Sequence, residues 1–374
     1  MNYIKHILKN IKFSVFYLTL ILLFNGYPFG NTIAQSDTSS TYDIHFLDDF
    51  DDSYRGDNTV RVMFYNLENL FDIYDDTLKN DESFLPEGDH HWGSYKYYQK
   101  SNNLGKTILA VGGWEAVELV GVCEVENLKV LEDLTHKTVL RNSKYSILHK
   151  ESPDKRGIDV ALMYRPDKIS IDTVQYIKVF LGKNNRPTRD ILYATVRTLN
   201  GAQLHVFVNH WPSRYGGQMK SVPKRKAAAR VVRSYVDSIL AQEPNANILL
   251  MGDFNDEPDN ESIHDVLRAR NDSTFADSTE LYNLMSHFHG NHGTHKYQGT
   301  WGVLDQFMVT KWLFQGQNEL KIIPGPLVFR APFLMTKETK YPGMKPYRTY
   351  VGFKYSGGYS DHLPIFVDLQ LLKK

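Results

Sequence analysis

From residue 59 onward the chain is a succession of short apolar runs, each closed by Gly, Asn, Asp or another polar residue, and the period inside each run predicts its element. Val60–Tyr65, Leu119–Cys123, Leu204–Asn209, Asn247–Gly252, Leu304–Val309 and Ile365–Leu371 read as strands, and the apolar run Ile248–Met251 has the pattern of a buried one. Tyr145–His149, Ile158–Tyr164, Ile169–Val174 and Ile191–Thr198 read as further strands. Helical spacing recurs within Tyr95–Val111, within Leu128–Val139 and near Ser262–Arg268. It is clearest over Lys220–Gln242, where Ala228, Val231, Val232, Tyr235, Val236 and Ile239 form an apolar stripe. On that helix Lys226, Arg230 and Arg233 are expected to form a solvated face. Several strands follow one another directly, which favours mixed or antiparallel sheets with helices outside over strict strand–helix alternation.

The first 34 residues have a different pattern. Lys5, Lys9 and Lys12 precede an apolar stretch from Phe13 to Phe24, and small residues follow up to Ala34. This is the layout of a secretory signal peptide, so a secreted or periplasmic protein cleaved near Ala34 is expected, with a retained anchor as the other reading. Residues 35–58 read as an exposed leader and 59–374 as one folded domain. The whole chain is formally neutral, and loss of 1–34 removes three lysines and no acid, leaving −3. No global basic field marks a nucleic-acid binder, so the partner has to be read from local residues. The one cysteine, Cys123, lies in an apolar run and is expected to be a buried apolar residue; no intramolecular disulfide can form.

The candidate chemistry sits where the runs stop. Val62–Tyr65 ends at Asn66 with Glu68 two residues on, Gly121–Cys123 ends at Glu124, and His205–Val208 ends at Asn209-His210. Ile248–Met251 breaks into Gly252-Asp253-Phe254-Asn255, Asp305 follows Leu304, and Ser360-Asp361-His362 precedes the last strand. One such residue after a strand is ordinary turn chemistry, but repetition at successive strand ends points to a shared site. Carboxylates and a carboxamide without a thiolate are hard ligands, suited to Mg²⁺, Mn²⁺ or Ca²⁺ rather than structural zinc.

Taken in order, Tyr65-Asn66-Leu67-Glu68-Asn69-Leu70-Phe71-Asp72, Cys123-Glu124, Asn209-His210, Gly252-Asp253-Phe254-Asn255, Asp305 and Ser360-Asp361-His362 resemble the motif set of the endonuclease/exonuclease/phosphatase superfamily. That superfamily includes pancreatic deoxyribonuclease, abasic-site endonucleases, secreted sphingomyelinases and inositol polyphosphate phosphatases. The resemblance covers roughly Val60 to Leu371. It implies a four-layer α/β sandwich of two mixed, mostly antiparallel sheets packed face to face with helices outside. It also implies one metal-dependent site at a sheet rim and hydrolysis of a phosphate ester by in-line attack of water.

The resemblance further implies roles. Asn66 and Glu124 would be the primary metal ligands, with Glu68 ligating directly or through water and Asp361 holding a metal or orienting the site. Asp253 would activate the attacking water and Asn255 would donate to that water or to the phosphoryl oxygen. His362 would be a charged donor to the phosphate, positioned by Asp305, and His210 would contact the phosphate or protonate the leaving oxygen. Asp159 is a candidate partner for His210, equally readable as a buried acid satisfied by backbone amides. Arg189, Arg214 and Asn209 are candidate substrate contacts, and Trp211 or Tyr215 could stack on a base. The cluster His287, His289, His292 and His295 fits no zinc spacing and reads as exposed loop histidines.

Among substrates a nuclease reading stands first, ahead of a sphingomyelinase-type phosphodiesterase or a phosphatase on a small compound; an inactive binding module is third. A lipid enzyme would need an exposed apolar hairpin, for which Trp312-Leu313-Phe314 and Val328–Leu334 are candidates that read equally well as core. The segment Asp72–Trp92, with seven acidic residues, could border the cleft and repel a long duplex. No obligate protein partner is evident and a monomer is expected.

Overall fold

The computed structural model describes residue 50 and residues 52–183, 185–288, 292–323 and 328–373. The expected signal peptide (1–34) and residues 35–49 of the leader lie outside the described residues. The end of the leader is docked: Phe50 meets the Phe329 and Phe366 rings edge-on at 4.9 and 5.6 Å, and Arg55 reaches the carboxylate of Glu118.

The first half of the domain runs β1 (Thr59–Leu70), α1 (Ser94–Gly112), β2 (Leu119–Val125), α2 (Leu128–His136), β3 (Ser146–His149) and β4 (Asp159–Tyr164). It continues with β5 (Ile169–Ile177), β6 (Ile191–Thr198), β7 (Gln203–His210), α3 (Gln218–Gln242) and β8 (Ile248–Asp253). The second half is more broken: β9 (Ala269–Arg270), β10 (Leu281–Asn283), β11 (His295–Tyr297), β12 (Thr300–Gly302), β13 (Asp305–Thr310), α4 (Lys311–Gln315) and β14 (Leu320–Ile323). Hairpin strands β15 (Met335–Lys337) with β16 (Met344–Pro346), and β17 (Tyr350–Val351) with β18 (Lys354–Tyr355), precede the final β19 (Ile365–Leu371).

These strands build two large mixed sheets, ordered β14-β19-β1-β2-β4-β3 and β5-β6-β7-β8-β13-β10-β9. The pairs β1/β2, β7/β8 and β9/β10 are parallel and the others antiparallel. Two of the parallel pairs are the ones joined through a helix, α1 for β1/β2 and α3 for β7/β8, as a parallel connection demands. Alternation explains why the central runs are apolar throughout. Val206, Val208, Leu249 and Met251 share one cluster with Val62, Phe64, Val120 and Val122 of the facing sheet. Their neighbours Phe207, Ile248 and Leu250 join Val232 and Val236 of α3 in a second cluster. On the other side Leu104, Ile108, Val111, Val130 and Leu134 of α1 and α2 close over the first sheet. The result is the expected α/β sandwich. The sheets approach closely at Gly121, where a Cβ would lie 2.8 and 2.9 Å from Cε and Sδ of Met251.

Some local expectations do not hold. The helix near Ser262–Arg268 is one wide turn, Ser262–Val266, after which the chain pairs as β9. Arg233 is not on a solvated face: it is buried, donating to the Leu267 carbonyl at 3.1 Å and pairing with Asp237. Trp312-Leu313-Phe314 belongs to the short α4, with Leu313 fully buried. In Val328–Leu334, residues Val328, Phe329, Ala331 and Leu334 are buried, so both candidate lipid hairpins are largely core.

Candidate active site

The topology explains why distant residues meet. β1 and β2 run parallel, so Asn66 and Glu124 arrive at one rim; β7 and β8 run parallel, so His210 and Asp253 arrive together in register. β13 runs against β8, and its first residue, Asp305, stands directly opposite Asp253. β19 runs against β1, which returns the preceding Asp361-His362 to the same end. A side chain at the start of an antiparallel strand and one at the end of its neighbour share a rim, and the site is assembled that way.

At this rim the backbone leaves the strand geometry. Glu68, Asn69, Glu124 and Asn255 have φ of 49°, 55°, 59° and 53°, a left-handed conformation that non-glycine residues adopt at a cost. The ladders break at the same places, between Asn66 and Leu70 and between Cys123 and Val125. Such bulges re-aim side chains from the sheet face toward the rim. Gly252 allows the approach of β7, since a Cβ there would lie 2.3 Å from the Asn209 carbonyl oxygen.

The side chains form one buried network. Nδ2 of Asn66 donates to Oδ2 of Asp253 at 3.2 Å, while Oδ1 of Asp253 accepts from the Asn255 N–H at 2.9 Å. Asp305 Oδ2 lies 2.6 Å from His362 Nδ1, and the other imidazole nitrogen of His362 is 4.0 Å from Asp253 Oδ2. His210 Nε2 stands 3.7 Å from Glu124 Oε1 and 3.8 Å from Asp253 Oδ2. Asn69 N–H donates to Glu124 Oε2 at 2.9 Å, and the Ser360 hydroxyl donates to the Asn66 carbonyl at 2.7 Å. The Ser360 hydroxyl oxygen also accepts from the His362 N–H at 3.1 Å.

Electrostatics divides these groups into two kinds. Burial opposes charge on His362, but Asp305, Asp253 and Asp361 outweigh it and hold the imidazole well above its ordinary value, as a cation at neutral pH. His210 is the reverse: burial, then the charges of Arg189, Arg156 and His362, push it well below its ordinary value, leaving a neutral ring. Burial raises Asp253 to about 7, against the pull of His362 and with help from Asp305. Glu68 is likewise raised by burial, and by Asp361, to about 7 despite Lys100 and Arg348. Asp361 resists its burial because Arg348, at 2.9 Å, and both nearby histidines draw it down to about 2.

Several expected contacts are placed differently. Asp159 does not partner His210: its carboxylate lies 3.1 Å from His149 Nε2 and accepts from the Ser152 N–H, and the imidazole of His210 is lowered, not raised. Asn209 is fully buried, accepting from the Trp211 indole and donating to the Met251 carbonyl, so it shapes β7 rather than facing a ligand. Trp211 is buried against Phe254 and cannot stack on a base, whereas Tyr215 is 95% exposed. Arg189 is buried, bonded to Asp154 at 3.1 Å and to the Trp211 carbonyl at 2.6 Å. Arg214 donates to the Asn255 carbonyl at 2.8 Å and to Asn260. The Asn255 amide donates to the Trp211 carbonyl at 3.1 Å. Both Glu68 oxygens already accept, from Arg348 at 3.0 Å and from the Thr349 N–H at 2.7 Å.

Three participants escaped the sequence reading. Arg348 bridges Glu68 and Asp361, and Lys100 lies 3.9 Å from Glu68 from within α1. His295 is not a loop-surface residue: its ring packs 4.7 Å from that of His362, and burial pushes it to about 4. His289 lies outside the described residues. A signal for Lys100 existed, since it falls on the buried stripe with Tyr97, Leu104, Ile108 and Val111, where an unpartnered lysine would be costly.

The donor set fits a hard divalent cation. Asp253, Asp305 and His362 present ligand atoms within 4.8 Å of one another, as do His295, Asp361 and His362. His362 belongs to both trios; burial lowers its imidazole, but Asp305, Asp253 and Asp361 raise it well above its ordinary value, so protonation competes with ligation there. Glu124 stands outside both trios, with its Oε1 3.7 Å from His210 Nε2. Asn66 Oδ1 accepts from the Glu68 N–H at 2.9 Å, and Asp253 and Glu68 are raised first by burial and then by neighbouring carboxylates.

A fold of two mixed sheets with carboxylates, carboxamide and histidines gathered at one rim is that of a phosphoesterase. The chain matches the model of the Endonuclease/Exonuclease/phosphatase family over residues 61–371 and belongs to that family. Its fold is similar to the human Nocturnin catalytic domain with bound sulfate, at 17% identity and TM-score 0.51, covering 84% of this chain and 95% of that one. It is similar also to a mannosyl-6-phosphatase of Bacteroides thetaiotaomicron, at 15% identity and TM-score 0.51, covering 83% and 99%. A humanized D. rerio TDP2 matches at 12% identity and TM-score 0.51, covering 84% and 99%. No curated protein sequence matches the chain.

Proposed function

We propose that this chain is a divalent-metal-dependent phosphodiesterase of secreted or periplasmic location, with nucleic acid as the leading substrate class. The observation that carries the reading is the buried Asp305–His362–Asp253 line beside Glu124 and His210. It joins a fixed positive donor to a carboxylate near its proton-exchange point.

Glu124 and Asn66 would hold Mg²⁺ or Mn²⁺, with Asp361 and Glu68 shaping the site through Arg348. When bound, the cation supplies charge neutralisation at a non-bridging phosphate oxygen. Asp253, poised at about 7 and steered by Asn66 and the Asn255 N–H, accepts a proton from the attacking water. His362 donates a charged hydrogen bond to the phosphoryl group, held in tautomer and position by Asp305. His210, its imidazole pushed well below its ordinary value by burial and nearby cations, stands 3.7 Å from Glu124 and 3.8 Å from Asp253, where it would contact the phosphate or the leaving oxygen.

The two segments considered as bilayer-reaching hairpins are largely core, which favours a soluble substrate over sphingomyelin. The mannosyl-6-phosphatase neighbour keeps small phosphorylated compounds in the comparison. The test is a substrate panel with purified residues 35–374 and Mg²⁺ or Mn²⁺: DNA, RNA, bis(p-nitrophenyl) phosphate, sphingomyelin vesicles and sugar phosphates. Cleavage of nucleic acid and of the diester, stopped by EDTA and by Asp253→Asn, is expected. Intact substrates throughout would refute the reading; phosphocholine release alone would replace nucleic acid with lipid.

A further inference from the structure

Immediately past His210-Trp211 the chain borders a depression of about 400 Å³ that none of the proposed catalytic groups uses. Its wall includes Lys155, Arg156, Arg186, Arg189 and Lys224, and a single acid, Asp154. That acid is already spent: Oδ2 is bonded to Arg189, and Oδ1 accepts from the Arg156 N–H at 2.8 Å. Lys155, Arg186 and Lys224 have no ion-pair partner among the described residues, although all three border the same space. Two polar groups in the wall are buried without a hydrogen-bond partner among the described residues, Thr188 Oγ1 and Arg189 Nε. Buried donors are rarely left unsatisfied, so the pair calls for an acceptor.

Helix α3 adds to the same field. It begins at Gln218 after Gly217, which supplies no side-chain cap, and its early residues Ser221 and Lys224 reach the wall. The unpaired N–H groups and the positive end of a 25-residue helix favour an anion there. Across Leu181, Arg186 and Pro187 a second depression of about 350 Å³ adds Lys178 and Lys183 against one further acid, the buried Asp190. Two rings stand out on this surface, Phe180 at 73% exposure and Tyr215 at 95%. Cations alternating with exposed rings match the chemistry of a single strand, phosphates on the cations and bases on the rings.

We propose that this basic pocket is a second phosphate subsite, holding a phosphate of the substrate other than the one being hydrolysed. The inference rests on the phosphodiesterase reading and makes it more specific: a substrate with one isolated phosphate fills only half of the recognition surface. A second phosphate could be the next one along a nucleic-acid strand or a second group on a small phosphorylated compound. The continuation onto Lys178, Lys183 and Phe180 favours the strand.

The experiment compares substrates that differ only in the second phosphate: the dinucleotide TpT, its 5′- and 3′-phosphorylated forms, and bis(p-nitrophenyl) phosphate. The variant is Arg186→Ala/Lys224→Ala, two side chains that line the pocket and make no hydrogen bond or ion pair to the proposed catalytic groups. An added terminal phosphate is expected to lower KM by about tenfold or more in the unaltered protein, one charge-assisted contact being worth about 1.5–3 kcal/mol. The double variant should lose that advantage and cleave bis(p-nitrophenyl) phosphate at the unaltered rate. In parallel, binding of a 5′-phosphorylated fluorescent oligothymidylate in EDTA should weaken at least tenfold in the variant, with the salt slope reduced by about 1.4 for two lost cations. Fructose 1,6-bisphosphate against fructose 6-phosphate tests the small-compound source. A variant-sensitive preference there, without one for the dinucleotides, would move the subsite from strand to small molecule. Equal KM with and without the second phosphate, or oligonucleotide binding unchanged in the variant, would overturn the subsite. Failure to cleave bis(p-nitrophenyl) phosphate would instead strike the catalytic reading, leaving the binding arm to judge the pocket.

Discussion

Replacing Asp305 by Asn is the sharpest probe of the proposed mechanism. The carboxylate oxygen lies 2.6 Å from Nδ1 of His362, and both residues are buried. Asn keeps the shape and an acceptor oxygen for Nδ1–H, but it removes the charge that does most to hold His362 protonated against its burial. A charge-assisted bond of this length in a buried setting is worth about 2–3 kcal/mol. Adding the weakened donor to the transition state gives about 2–4 kcal/mol, a fall in kcat of about 30- to 1,000-fold. The sign in pH follows. Protonated His362 is the active form, so activity is present below its folded pKa and lost as pH rises through it. That pKa is raised in the unaltered protein and drops in Asp305→Asn, so the alkaline limb of the kcat profile moves toward lower pH. The assay is steady-state hydrolysis of bis(p-nitrophenyl) phosphate with saturating Mg²⁺ over pH 5–10, with thermal melts as a folding control. His362→Gln should cost about as much, and the double variant little more than either, because the two residues act as one unit. A kcat within about threefold of the unaltered protein with an unmoved alkaline limb would refute the reasoning.

Other expectations concern the frame. Burial, and then the charges of Asp72, Asp81 and Asp76, push Glu126 up to about 8; stability is therefore full below its unfolded value and lost as pH rises through about 8, so Glu126→Gln should raise the melting temperature at pH 9 and not at pH 4. Gly121→Val should overpack the sheet interface against Met251 and cost about 1–3 kcal/mol in denaturant unfolding, with partial recovery on adding Met251→Val. Arg225→Met should cost about 3–5 kcal/mol by stranding Asp256, whose carboxylate lies 2.7 Å from Arg225 Nε in a fully buried pair. Chelation should abolish hydrolysis reversibly while leaving the melting curve of the two-sheet core cooperative.

The frame was legible in the sequence where burial is two-sided. Continuous runs such as Ile248–Met251 admit only an interior strand, and the polar residue that ends each run marks a rim. The order of those residues was enough to gather Asn66, Glu124, His210, Asp253, Asp305 and His362 in advance. What stayed hidden comes from elements without period. Arg348 sits between strands of two and three residues, too short to carry alternation, and His295 opens a three-residue strand. Asp159 was legible as a buried acid but not as the partner of His149, because only the register of β3 against β4, which sets His149 opposite Ala161, brings the diagonal Asp159 two residues away within reach. The fate of Trp211 was hidden for a related reason: a residue just after a strand can turn inward as readily as outward, and here the ring packs on Phe254.

The bond from Asn66 to Asp253 joins β1 of one sheet to β8 of the other. Neither half of the chain owns a working site by itself, since Asn66 and Glu124 precede the crossing into the second sheet and His210 and Asp253 follow it. Catalysis is thus a proximity signal. If the chain were divided in the exposed stretch near Lys183 and each half fused to one member of an interacting pair, ester hydrolysis would report their encounter, and silence would report their separation.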